Sequence, residues 1–437
     1  MNPAKTGTAR LHPKAWLVIA LYALYATAES LCSVFVGVYF YINSLDFRVV
    51  CYHYLALYIV TPFVFTLAGW YAKTRDRTRV YRTGLALHAV YYAALLWLRE
   101  DSARHPVALG VLLGITWGFF WVGTNTFQYD FSLDGHGEYY IGLITSMSGA
   151  ARMLGPLVSG LIIGLAPVRQ WGYQTVFALA LLIYLAAIAL SLRIPHDTSP
   201  RPFHLRPALF PPKAHGDWRR ILAASFTLAG SSHIFDFVLA LFMLLQTGSE
   251  INVGGFVSWQ ALVAVTTAYL AGRWITPRTR SRAMRAGTAL LLLAGLAIAL
   301  RFDWWMLILF GFLRSMSEPL FGIPHTGIRF DVMRRTAPAG DRIEYLCAWE
   351  WPLLFGRLFT MGMVIALYTL FNVEGLRAAI ILVSGYRIAT YLCLRGISFV
   401  REPGLPGPQP APDQCAGGPD APPATTTPMA ARSSSAE

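Results

Sequence analysis

The chain has 437 residues, 55% hydrophobic and only 14% charged, with 36 Lys and Arg against 23 Asp and Glu, a net charge of +13. Soluble domains carry about 25% charged residues, so this composition excludes an ordinary soluble fold. The positive charge does not mark a nucleic-acid partner, because the basic residues lie between apolar runs and not on one polar face.

Twelve apolar spans are predicted in chain order, at 16–41, 49–71, 83–98, 107–127, 140–164, 171–192, 221–245, 253–275, 287–300, 304–326, 345–369 and 375–396. Crossing about 30 Å of hydrocarbon takes roughly 20 helical residues. Backbone groups in lipid must bond within their own segment, so the spans are expected to be helices, and they are too long for barrel strands. The expected fold is therefore an all-α polytopic membrane protein. The first span follows Lys5, Arg10 and Lys14 and contains Ala26-Thr27-Ala28, which is similar to a signal-peptidase site. The run resumes at Leu31 and reaches Tyr41, too long for a signal h-region, and it reads as a retained span. Residues 1–192 form one predicted six-helix bundle, 193–220 a basic Pro-rich linker, and 221–400 a second six-helix bundle. Residues 401–437, rich in Pro, Ala, Ser and Thr, cannot bury enough apolar surface to fold and are expected to be a disordered tail.

The five cysteines (Cys32, Cys51, Cys347, Cys393, Cys415) show no CxxC pair. No P-loop, GxSxG, HExxH or Cys/His cluster is found, so neither a metal site, a cofactor site nor an enzyme is expected. Orientation follows from the basic residues. The even-numbered loops, the linker and both ends hold 26 Lys and Arg, the odd-numbered loops hold six, and Arg152, Arg314, Arg357 and Arg387 lie inside spans. This places both termini and the linker in the cytoplasm of a cell-membrane protein, the inner membrane in a bacterium. The acidic loop 128–139 (Asp130, Asp134, Glu138) is the one dissenting cytoplasmic loop.

The two sets of six spans are related. At a shift of 203 residues, Leu67-Ala68-Gly69 falls on Leu270-Ala271-Gly272, and Arg75, Arg77, Arg79, Arg82 and Gly84 fall on Arg278, Arg280, Arg282, Arg285 and Gly287. Asp130 pairs with Asp331 at a shift of 201, and Arg152 with Arg357 at 205. Similar basic loops would explain the arginines but not both flanking glycines at one spacing, so an internal duplication is expected.

Two parallel six-helix repeats joined by a cytoplasmic linker resemble the major facilitator superfamily over residues 15–396. The family's loop after helix 2 runs Gly, three residues, Asp, Arg, one residue, Gly. Here Gly69 and the basic residues Arg75 and Arg77 are kept, but Lys73 stands at the Asp position and Asp76 at the second Gly. In the family this loop is a latch that breaks and reforms, which the resemblance implies for Gly69, Arg75, Asp76 and Arg77 and for Gly272, Arg278 and Arg280. Gly69 and Gly272 are expected where backbones come close. In helix 5, Gly142, Ala151, Gly155, Pro156, Ser159 and Gly160 are similar to the pattern of the family's proton-coupled antiporters, with Ala and Ser for two glycines. Such small residues let helices approach, and ordinary helix packing would also explain them. Helix 4 lacks those antiporters' arginine, with Trp117 near its place.

An ionisable residue at the bilayer centre costs at least about 2.5–3.5 kcal/mol and faces a cavity or a partner. Glu29 in span 1 and Asp236 in span 7 are the deep carboxylates of counterpart helices, candidates for proton or substrate contact or for simple hydrogen bonds to a neighbouring helix. His233 lies one turn from Asp236. Arg314 and Glu318 are four apart on span 10, and Glu350 and Arg357 seven apart on span 11, so each pair shares a helix face. These groups and Arg152 either neutralise one another or bind a charged substrate. Arg387, near the end of span 12, is expected to snorkel to the headgroups. Pro319 and Pro324 interrupt span 10, a mark of broken helices at transporter sites.

The resemblance implies a monomeric secondary transporter of a small molecule working by alternating access, coupled to protons, with efflux favoured by helix 5. The alternatives are proton-linked uptake of an anionic or zwitterionic metabolite and a non-transporting membrane sensor. A reporter active only outside the cytoplasm should be silent when fused after Arg206 and active when fused within 99–106. The reverse pattern overturns the orientation.

Overall fold

A computed structural model describes residues 13–133, 137–196, 198, 201–232, 234–301, 303–338, 340–397 and 400, without the side chains of 129, 130, 132, 133, 137–139, 141, 231, 232 and 234–236. The 401–437 tail, His233 and the Asp236 side chain lie outside the described residues.

The described residues form helices and no strand. In chain order they are α1 (Pro13–Ser44), α2 (Phe47–Thr74), α3 (Arg77–Leu98), a short 3-10 turn (Arg99–Arg104), α4 (Pro106–Leu133), α5 (Gly137–Leu165), α6 (Arg169–Ser191), α7 (Leu205–Leu209), α8 (Gly216–Ser232), α9 (Ile234–Thr247), α10 (Glu250–Trp274), α11 (Arg280–Leu300), α12 (Trp304–Thr336) and α13 (Arg342–Arg395). Connections are tight, and short polar side chains start the next helix by accepting its orphan N–H groups. Asp46 accepts from Arg48 N, Asp76 from Thr78 N and Arg79 N, and Asp303 from Met306 N.

Nine of these helices are long and apolar enough to cross a membrane. α13 supplies two crossings. Its Asn372 has φ 52° and is not helical. A Cβ on Gly375 would collide with the Leu367 carbonyl, eight residues back. A continuous helix would hold those residues about 12 Å apart, so the chain reverses there. α3 and the α8–α9 segment cover the remaining two predicted spans. The expected starts at 83 and 287 are too late, since α3 begins at Arg77 and α11 at Arg280. Of the arginines read as loop residues, Arg77, Arg79 and Arg82 lie in α3 and Arg280, Arg282 and Arg285 in α11. Pro319 and Pro324 do not end α12, which runs through both.

α1 to α6 pack on one another, chiefly α2 on α4, α3 on α4 and α6, and α1 on α5 and α6. α8 packs on α13, α11 on α12, and α10 on α12. The two sets meet along α5 with α10 and along α2 with α13. The duplication exchanges these pairs, because α2 corresponds to α10 and α5 to the first limb of α13, as a pseudo-twofold requires.

Small residues set the α5 seam. A Cβ on Gly155 would run into Ser30 of α1, one on Gly160 would stand 3.2 Å from the Gly254 Cα, and one on Gly254 would collide with the Pro156 carbonyl. Gly142 has open space around it, and Ala151 is half-buried against the core. Gly69 is tight, its Cβ position 2.6 Å from Cys347 Sγ. Gly272 is open, contrary to the expectation that both loop glycines sit at close approaches. At the helix 5 shift of 205, Cys347 corresponds to Gly142. The counterpart of the tight Gly69–Cys347 contact is thus Gly272–Gly142, and both are open. The seam is closed at this depth on the α2/α13 side and parted on the α5/α10 side.

Gly254→Leu should lower the melting temperature, overpacking costing about 1–3 kcal/mol, while Gly272→Leu should leave it nearly unchanged. Equal losses in a thermal-shift assay would refute the asymmetry.

Candidate functional site

The end of the seam that carries the linker is closed by a buried ion cluster. Lys73, in the last turn of α2 and 4% exposed, donates to Asp341 Oδ1 at 2.8 Å and to the fully buried Glu344. Asp341 precedes α13 and Glu344 lies in its first turn, where the helix dipole favours negative charge. The linker is tied into the cluster. Arg201 N donates to Lys73 O and His204 N to Glu344 Oε1, each at 3.0 Å. Further back, Thr78 Oγ1 donates to Pro195 O at 3.0 Å and His196 Nδ1 meets Asp76 Oδ2 at 2.6 Å. Trp218 Nε1 anchors the other end on Ala208 O at 2.8 Å.

His204, Asp341 and Glu344 bring ligand atoms within 4.8 Å of one another, a spacing a metal ion could use. The Lys73 ammonium already sits against both carboxylates, so the group reads as an ion latch. Sequence reasoning saw Lys73 only as a departure from the loop pattern and did not single out Glu344 as its partner. Their separation of 271 residues carries no local trace.

Within the loop, Asp76 is buried and caps α3, while Arg75 and Arg278 are exposed. Arg77 is half-buried. Arg280 pairs with Asp331 at 2.6 Å. The side chains of Asp130, Asp134 and Glu138 lie outside the described residues.

A second latch closes the opposite end. Arg169, at the start of α6, pairs with Glu250 in the first turn of α10, and Tyr173 Oη donates to the same carboxylate at 3.2 Å. Glu250 is 5% exposed. Neither residue was singled out from the sequence, where Arg169 counted only as a loop charge. Phe47 stacks on Phe237 at 5.8 Å and meets Tyr368 at 5.2 Å, adding apolar closure at that end.

Between the latches lie the interior charges. Glu29 of α1 is half-buried, within electrostatic reach of the exposed Arg152 of α5, with Tyr25, Cys32 and Tyr184 around it. The wall behind is aromatic. Tyr25 stacks on Phe120 at 3.8 Å, and His88 and Tyr92 stack on Tyr184 at 4.8 and 5.5 Å. Glu29 is therefore set among α1, α3, α5 and α6.

In the second set, Arg357 and Glu350 of α13 are paired at 3.5 Å on the face the sequence predicts. Arg329 acts on the same carboxylate and lies 3.9 Å from the Trp349 ring centroid. Arg357 also lies 5.2 Å from the Tyr58 ring centroid of α2, reaching across the seam. Arg314 is buried on α12. Glu318 does not turn to its helix neighbour Arg314. It accepts from Arg387 at 2.6 Å. Arg387 is 1% exposed and packed 4.6 Å from the Phe321 centroid, so it does not snorkel. Its position near a helix end suggested lipid headgroups, but that face of α13 is covered.

Lys73→Met leaves the Glu344 carboxylate buried without its ammonium. Breaking a buried pair costs about 3–5 kcal/mol, so the melting temperature should fall, and adding Glu344→Gln should restore part of the loss. A silent Lys73→Met would show that the latch carries no load.

Comparison with known proteins follows the same lines. The family model of the Major Facilitator Superfamily matches residues 18–324. The chain is 28% identical over 345 residues to the uncharacterized protein YqgE of Bacillus subtilis (strain 168), covering 79% of this chain and 80% of that one. Among solved structures it is similar to the peptide transporter POT in complex with sulfate (13% identity, TM-score 0.68, 90% of this chain and 95% of that one). It is also similar to the nucleoside transporter NupG (12%, 0.65, 88% and 99%) and to the human organic anion transporter MFSD10 (TETRAN) (15%, 0.61, 88% and 100%). At these identities the structures show a shared fold. With most of its length matched by the family model and its helices folded as that family's are, the chain belongs to the Major Facilitator Superfamily, a multi-pass membrane protein of a family of secondary transporters that work by alternating access.

Proposed function

We propose that this transporter moves a small molecule bearing an anionic group, that protons drive it, and that the two ion latches are its gates. The observation that carries the substrate reading is Arg357. It lies on the seam against Tyr58 and shares the single carboxylate of Glu350 with Arg329. Two guanidiniums on one carboxylate leave positive charge at the surface where the two sets meet. A guanidinium binds carboxylate or phosphate bidentately, where an ammonium acts as a point charge.

Glu29 supports proton coupling. A carboxylate within a membrane span, near one arginine and among buried tyrosines, is the kind of group that carries protons in transporters. Asp236, at the matching depth of the counterpart helix, is the second candidate. The small residues of helix 5 pack α5 on α1 and α10, a role that serves either direction, so efflux forms no part of the proposal.

Alternating access then consists of opening one latch while the other holds. Lys73 with Asp341 and Glu344 guards the linker end, and Arg169 with Glu250 the opposite end. Gly272 and Gly142 meet when the linker end closes fully, so Gly272→Leu should slow transport while leaving expression nearly intact.

A thermal-shift screen of carboxylate and phosphate metabolites tests the substrate. A ligand at 100 times its Kd adds about 2.7 kcal/mol of stability, which Arg357→Gln should remove. In proteoliposomes loaded with that ligand, Glu29→Gln or Asp236→Asn should abolish accumulation driven by a pH gradient yet spare counterflow exchange. Stabilisation by cations alone would sink the anion reading. A Glu29→Gln/Asp236→Asn double variant that still concentrates substrate would sink proton coupling.

A further inference from the structure

Away from the seam, a cavity of about 440 Å3 opens between α2, α3 and α4 near the linker end, lined by Leu67, Tyr71, Arg79, Val80, Arg82, Thr83 and Phe119. Its walls are graded. Leu67 lies seven residues inside the end of α2, hence about 10 Å deep, and with Val80 and Phe119 it makes an apolar floor. Leu67 is 56% exposed, a large apolar side chain turned outward within a membrane span. The mouth is basic. Arg79, in the first turn of α3, is 62% exposed; its Nε lies 3.4 Å from Asp76 Oδ2, and its backbone N–H donates to Asp76 Oδ1. Arg82 is held rigidly by the carbonyls that end α6, through Nε to Ser191 O at 3.1 Å and Nη2 to Ile194 O at 2.5 Å.

We propose that this cavity binds the headgroup and upper chain of an anionic phospholipid. An apolar floor reached from the hydrocarbon, under two guanidiniums at headgroup level, matches an amphipathic anion in both charge and depth. Arg82 is fixed by its carbonyls and supplies charge. Arg79, whose side chain is largely exposed, makes the phosphate contact. The lipid would be integral to the first helix set and independent of the substrate reading, since the cavity does not touch Glu29, Arg152 or Arg357.

The test is native mass spectrometry of the full chain, delipidated and then exposed to equal amounts of phosphatidylglycerol and phosphatidylcholine with matched chains. The wild type should retain a phosphatidylglycerol adduct in preference. Arg79→Gln should lose that preference, while Arg48→Gln, an exposed arginine at the other end, should keep it. Leu67→Trp, which fills the floor, should reduce adducts of both lipids and covers the case in which Arg79→Gln does not fold. Equal retention of both lipids by the wild type overturns the proposal, as does an unchanged preference in Arg79→Gln. Displacement of the lipid by inorganic phosphate would mark a site for the phosphate group alone and overturn the lipid assignment.

Discussion

One ammonium between two carboxylates governs how the two helix sets can meet. Lys73 comes from the first set and Asp341 and Glu344 from the second, and all of the charge is brought together only when α2 lies along α13. Separating the sets exposes these charges to water, which is tolerable at the end of a helix. Bringing them together without their partner is not, because a buried unpaired charge costs several kcal/mol. The closed state at that end is therefore specified by charge as well as by packing. The linker adds to it, because Arg201 and His204 donate backbone N–H groups to the same cluster. A segment expected only as a basic connector is thus hydrogen-bonded to both helix sets.

The same logic at the opposite end joins α6 to α10. Glu250 starts α10 and receives Arg169 and Tyr173. The pseudo-twofold would make the α2/α13 and α5/α10 contacts identical, yet they are not used identically. Gly69 and Cys347 are pressed together while their counterparts Gly272 and Gly142 are apart. The two seams of this duplicated fold are thus packed differently at the same depth.

How far this was legible in the sequence depends on the distance over which each feature is encoded. Helices, their approximate limits and the duplication are written in local patterns, apolar runs and repeated spacings, and they read out well. The Glu350–Arg357 pair is seven residues apart on one helix and was visible as a shared face. Arg387–Glu318 spans 69 residues, and Lys73–Glu344 spans 271. Nothing local links such partners, so Arg387 was assigned to headgroups from its place in the span alone. Helix ends were misplaced for a different reason. Arginine-rich stretches are loops by hydropathy, but α3 and α11 begin within them, because hydropathy marks the apolar part of a helix and not its ends. Glu29, read as a deep carboxylate of span 1, is half-buried on α1. That its neighbours are Arg152 and a wall of tyrosines depends on how α3, α5 and α6 stack, which no single span records.

The interior charges divide by where they sit relative to the seam, and this division carries a physical consequence. Glu350 and Arg357 lie where the two sets meet, so their hydration changes whenever the seam opens. Such groups are suited to a substrate that must be bound from one side and released to the other. Glu29, half-buried beside Tyr25, Cys32 and Tyr184, belongs to the first helix set, and the exposed Arg152 stands on α5, the helix whose contact with α10 forms one of the two seams. A charge on that helix is one packing contact away from the seam, whereas Glu350 and Arg357 lie on it.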